Sequence, residues 1–94
     1  MYYMVRYVDD VLELVRKGGL PKEVFIHLNN AFRAIDLTKD LSLFDIKQLK
    51  QSKETQRVYY RLRKGKYRAI FYLESSDIFV IAVGKREEVY KKWQ

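Results

Sequence analysis

Nine basic side chains fall between residues 47 and 68, namely Lys47, Lys50, Lys53, Arg57, Arg61, Arg63, Lys64, Lys66 and Arg68, against one acid, Glu54. That segment carries nine minus one, or +8, so with a net charge of +7 for the chain the remainder sums to −1. A positive field confined to one stretch of a small domain is the footprint of a polyanion partner, because phosphate neutralisation and counterion release supply most nucleic-acid affinity. Scattered lysines would read as an ordinary solvated face. Arginines at alternating strand positions favour binding. Near the end of the sequence Arg86 and Tyr90 stand one helical turn apart. Fixed guanidinium groups beside a tyrosine suit phosphoryl chemistry on RNA, in which a 2′-hydroxyl attacks the adjacent phosphorus and arginines stabilise charge on the non-bridging oxygens. The same residue types serve equally for binding RNA without cutting it.

Other chemistries are poorly supplied. There is no cysteine, which removes disulfides and thiolate sites, and the single histidine, His27, cannot build a clustered-imidazole metal site. No metal and no cofactor is expected. His27 lies beside the apolar stripe of a helix, with no serine or carboxylate in a recognisable catalytic pattern, and is read as a flanking structural residue.

The elements that must position the arginines follow from the hydrophobic period. Tyr2 to Tyr7 is aromatic and β-branched, as a first strand requires. Asp9 or Asp10 can cap a short helix with Val11, Leu12 and Val15 as its stripe, ended by Gly18-Gly19. Leu20-Pro21 opens a second helix in which Val24, Phe25, Leu28, Ala31, Phe32 and Ile35 recur on one face, so the two helices form a hairpin. Thr38 to Ser52 is polar and irregular. From Val58 the period becomes two, giving three antiparallel strands with turns at Lys64-Gly65 and Ser75-Ser76-Asp77, and Glu87 to Trp93 fits a closing helical turn or two. The expectation is one α+β domain over residues 1–94, ordered βααβββ(α), with an antiparallel sheet packed on an N-terminal helical hairpin.

Strand register decides which arginines meet. A two-residue turn at Lys64-Gly65 sets Arg63 against Lys66 and Arg61 against Arg68, whereas a three-residue loop sets Tyr60 against Arg68. Like charges opposed across strands are unfavourable by up to about 1 kcal/mol unless an anion lies between them. By alternation Arg86 continues the side of Val80, Ala82 and Gly84, so Arg61, Arg68 and Arg86 are expected to converge near the centre of one sheet face, over a floor of Tyr59, Ile70, Tyr72, Val80 and Ala82.

The string YYRLRKGKYRAIFYLESSDIFVIAVGKREEVYKKW, with its LRxGxYR hairpin, apolar third strand and closing GKR…VY, strongly resembles the C-terminal half of RelE-type toxins of the RelE/ParE superfamily. The preceding FDIKQLK resembles the family's approach to its second strand, so the specific likeness runs from Phe44 to Trp93. The resemblance implies a toxin of a type II toxin–antitoxin system: an mRNA interferase that cleaves mRNA in the ribosome without a metal and is held inactive by an antitoxin. It implies Arg68 and Arg86 as transition-state arginines, Arg61 in place of a basic residue on the preceding strand, and Tyr90 as a residue that stacks on the substrate base and takes part in proton transfer. Lys47, Lys50, Arg57, Arg63, Lys64, Lys66 and Lys85 are then expected to hold RNA phosphates. The general base stays unassigned, since members that carry a lysine or a histidine correspond to Tyr59 and Lys85 here. Two other readings remain: a gyrase-directed ParE-like toxin, which generally lacks the full arginine and tyrosine set, and a non-catalytic RNA-binding module. The N-terminal MYYMVRYVDD lacks a signal-peptide pattern and no apolar run approaches membrane-spanning length, so the expected location is cytoplasmic, with no membrane partner.

Overall fold

The computed structural model of the chain describes residues 4–49 and 57–93, with 90–93 described as backbone only. Strand β1 (Met4–Tyr7) leads into helix α1 (Asp9–Arg16), and the chain reverses into helix α2 (Lys22–Thr38) through Gly18 at φ 79°, a left-handed conformation that glycine adopts without strain. Val8 holds the cap position of α1 with no side-chain bond, so neither Asp9 nor Asp10 is the cap; both lie in the first turn, where their charge favours the positive end of the helix dipole. On α1 Val11 is buried and Val15 half-buried, but Leu12 points outward and Leu14 takes the inner place. On α2 all six residues of the expected stripe pack inward, while His27 is exposed.

The α+β class and the helical hairpin are as the sequence leads one to expect. The sheet is larger. Strands β3 (Tyr60–Lys64), β4 (Tyr67–Glu74) and β5 (Asp77–Lys85) form the antiparallel meander, β2 (Ile46–Gln48) adds to β3, and β1 lies parallel to β5, giving the order β1-β5-β4-β3-β2. β2 falls in the segment read as irregular: at three residues with only Ile46 apolar it has no period to detect. The parallel pairing of β1 follows from the helical hairpin, which carries the chain across before the meander begins. Helix α3 (Arg86–Trp93) follows β5 directly and packs on β4 and β5.

One face of the sheet meets the hairpin. Leu62, Ala69, Phe71, Ile78, Val80 and Val83 interlock there with Val11, Leu20, Leu28, Ala31, Phe32 and Ile35, and Phe32 meets Phe71 edge-on at 5.2 Å. The sheet keeps this face apolar through a bulge. Ile70 pairs with Ala82 but Phe71 pairs with Val80, so Ile81 is an extra residue that resets the alternation. Val80 therefore enters the core rather than sharing a side with Ala82 and Gly84, which corrects the simple alternation.

Asp77 pins the edge strand. Its carboxylate accepts from Arg6 Nε at 2.9 Å and from the Met4 amide at 3.2 Å, and the Arg6 bond foremost holds its pKa below the usual 3.8. A lowered folded-state pKa gives stability that is present above the unfolded value and lost as pH falls through the folded one. Asp77→Asn is thus expected to lower the melting temperature at neutral pH, with the difference from wild type closing as pH drops below 3.8; thermal melts across that range check it.

The β4–β5 turn gives a second expectation. Ser75 and Ser76 both have positive φ, 50° and 70°, the pattern of a type I′ turn that Asn-Gly fills with least strain. The Ser75→Asn, Ser76→Gly double variant should gain about 1 kcal/mol, a rise of roughly 4–8 °C in melting temperature for a domain of this size.

Candidate nucleic-acid interface

The face away from the hairpin carries the arginines, and the turn fixes how. Lys64 pairs with Tyr67, so the two turn residues are Gly65, at φ 61°, and Lys66. Arg63 then stands opposite Arg68, and Arg61 opposite Ile70. Neither register expected from the sequence is the one adopted, because glycine takes the first turn position, where positive φ is required, one residue later than assumed. The consequence for charge survives: Arg63 and Arg68 oppose each other directly, and Arg61 is diagonal to Arg68, a neighbour at about 7–8 Å.

Arg63 is exposed, but the other two guanidiniums are largely withdrawn from solvent. Arg68 is 7% exposed and the Arg61 side chain 13%. Arg68 Nη1 donates to the carbonyls of Gly65 and Tyr67, each at 3.0 Å, bracing the turn. Arg61 Nη2 donates to Asp45 Oδ1 at 3.2 Å, and Arg63 Nε lies 3.5 Å from Asp45 Oδ2. The Nε atoms of Arg61 and Arg68 are both buried and find no acceptor among the described residues. Leaving a buried donor unsatisfied costs about 1–3 kcal/mol, and more on a charged group, so two such donors on one face are a concentrated local cost.

The other expected site residues divide. Lys47 pairs with Arg61 across β2 and β3 and is exposed beside it. Lys64 and Lys85 both pair with Tyr67, on the opposite side of the sheet from Arg68, and Lys66 is at the turn tip. The structure does not gather these three with the arginines. Arg57 precedes β3 and lies over the Tyr72 ring at 4.0 Å from its centroid, with Glu74 at 3.8 Å. Its bond to Tyr59, the largest influence on it, raises its pKa further. Lys50 and the Tyr90 side chain lie outside the described residues.

Arg86 is not a strand residue. It is the first residue of α3, two positions beyond Gly84, which pairs with Arg68. Gly84 lets α3 sit close: a Cβ there would fall 2.8 Å from Glu88 Oε2 and 3.5 Å from Val89 Cγ2. Val89 is buried, and Glu88 Oε2 accepts from the Lys85 amide at 3.3 Å, fixing the first turn that presents Arg86. Asp45 is the residue that sequence reasoning passed over. It stands inside FDIKQLK, but its pairing with Arg61 and Arg63 depends on β2 joining β3, a contact across sixteen residues.

No family model matches the chain, and no curated protein is similar to it in sequence. Solved structures are similar in fold. One is the RelB–RelE antitoxin–toxin complex from Methanococcus jannaschii, at TM-score 0.69 and 19% identity over 95% of this chain and 99% of that one. Another is the archaeal RelE–RelB complex from Pyrococcus horikoshii OT3, at TM-score 0.69 and 21% identity over 92% and 97%. The chain therefore has the fold of the RelE toxins along nearly its whole length.

Asp45 holds Arg61 and Arg63 while more than half exposed to solvent, so a phosphate bound at those arginines would have to displace it. Asp45→Asn is expected to tighten binding of a short single-stranded RNA by about fivefold at low salt, near the roughly 1 kcal/mol limit of an exposed ion pair, with the gain fading as salt screens it. Anisotropy titrations at several salt concentrations check this.

Proposed function

We propose that this chain is the toxin of a toxin–antitoxin pair and acts as a ribosome-dependent endoribonuclease on mRNA, in the cytoplasm. The observation that carries the reading is the buried pair Arg61 and Arg68, each with an unsatisfied Nε, on the open face of a RelE-toxin fold. A phosphodiester under attack by its own 2′-hydroxyl gathers charge on the non-bridging oxygens, and preorganised guanidiniums meet that charge with no reorganisation at the moment of reaction. The phosphorus–2′-oxygen bond forms as the phosphorus–5′-oxygen bond breaks, leaving a cyclic phosphate or 3′-phosphate on one fragment and a 5′-hydroxyl on the other. Arg86, at the start of α3, and Tyr90, in its next turn, complete the set as the third charge donor and the group that contacts the base and moves the proton.

The solved relatives in fold are complexes with RelB antitoxins, which supports an antitoxin partner here as well. An acidic amphipathic segment over the arginine face would satisfy the buried donors and exclude RNA together. A gyrase poison would leave translation in a purified system untouched.

Mapping mRNA cleavage on purified ribosomes, with and without the protein, tests the reading. Cuts with 5′-hydroxyl ends are expected, and intact mRNA would contradict it. Arg86→Ala should lower the cleavage rate by ~10²-fold with little change in melting temperature, as for loss of one charge donor. Arg68→Lys should lose a similar factor and also some stability, since lysine cannot brace the two turn carbonyls and reach the phosphate at once. Wild-type rates in both variants would place the chemistry elsewhere.

A further inference from the structure

The arginine face continues into an aromatic one. Two rows along the strands from Arg68, Tyr72 pairs with Phe79 across β4 and β5, and Tyr59 lies on the chain leading into β3. The Tyr72 and Phe79 rings are stacked, 4.9 Å between centroids and 9° between planes. Tyr59 meets Tyr72 edge-on at 5.9 Å. The Arg57 guanidinium lies over the Tyr72 ring, 4.0 Å from its centroid. Arg57, Tyr72 and Phe79 thus form a column of π-systems braced by Tyr59, and all four side chains are half-exposed.

We propose that this column is a base-stacking subsite for single-stranded RNA, which extends it at its Arg57 end while the strand's phosphate backbone runs on to Arg61 and Arg68. The inference deepens the RNA-cleavage reading and rests on it. Three features support it. Rings and guanidinium planes are the surfaces on which unpaired bases stack, and they accept any base because every base has a π-face. Four residues of strand separate the Tyr72 row from the Arg68 row, about 13 Å, a span that a few nucleotides cover. The face between them is cationic, with Lys47 exposed beside Arg61, so a polyanion is guided along it. The column gives Arg57 a role other than the phosphate contact expected from its charge: held by Tyr59 and Glu74, it offers a plane rather than a point charge.

Arg57→Lys separates the two roles, because lysine keeps the charge and loses the plane. Binding of a short mixed-sequence single-stranded RNA and of the same strand made wholly of abasic residues is measured by anisotropy across salt concentrations. For the wild type, the base-bearing strand should bind about tenfold tighter than the abasic one, in line with one stacked base. Arg57→Lys and Tyr72→Leu should each lose most of that preference while keeping the salt slope, and the abasic strand should bind wild type and variants alike. Melting curves verify that each variant is folded; the abasic strand tests the idea on the unaltered protein. Equal wild-type affinity for both strands, or no detectable binding of either, overturns the subsite whatever the ribosome cleavage assay gives. Full preference retained in both variants overturns it too, while cleavage on ribosomes could still stand.

Discussion

A guanidinium taken out of water needs acceptors for five N–H groups in a fixed plane, and this sheet buries two guanidiniums without providing them all. Arg68 uses the carbonyls of its own turn and Arg61 uses Asp45, but both Nε donors are left over. The shortfall is a local cost set against the core packed on the other face of the same strands. Stability is thus given up locally, on the face to which the proposed function assigns the RNA phosphate.

The remaining elements serve that constraint. The helical hairpin covers one face of the sheet so completely that the other can carry charge, and Phe71, Val80 and Ile78 anchor β4 and β5 from below. The bulge at Ile81 keeps Val80 in the core while turning Ala82 and Gly84 toward the arginine face, where Gly84 leaves room for α3. Were Ile81 paired in regular alternation instead, the side chains after Val80 would exchange faces. The Gly65-Lys66 turn is both product and support: it sets Arg68 opposite Arg63, and the Gly65 carbonyl then accepts from Arg68. Asp45, reached only when β2 joins the edge, neutralises part of a cluster that would otherwise repel itself.

Much of this could be read from the chain, and the failures have physical causes. The α2 stripe from Val24 to Ile35 was legible because six apolar residues at helical spacing admit one solution. The meander was legible from its period of two. Its register was not, since a one-residue shift of a turn leaves composition unchanged, and the bulge was invisible because Ile81 is as apolar as its neighbours. β2 is too short to show a pattern, and with it Asp45 was missed. The arginine cluster was found from charge and alternation, whereas the burial of Arg61 and Arg68 depends on packing that no local pattern encodes. The aromatic column was half legible: alternation set Tyr59 and Tyr72 on the arginine face, but the bulge puts Phe79 there too, opposite to what simple alternation from Gly84 gives.

In the proposed function Arg61 and Arg68 meet the phosphate with guanidiniums whose Nε donors lack an acceptor among the described residues of the free protein. Nitrogen-15 spectra of the arginine Nε–Hε groups report on those guanidiniums directly, and a nucleoside 3′-phosphate serves as the probe. On titration, the Arg61 and Arg68 signals should both move and their hydrogens become more slowly exchanging, as new acceptors close the last unfilled bonds. Shifts confined to exposed arginines such as Arg16 and Arg33, with Arg61 and Arg68 unchanged at saturating phosphate, would contradict the account.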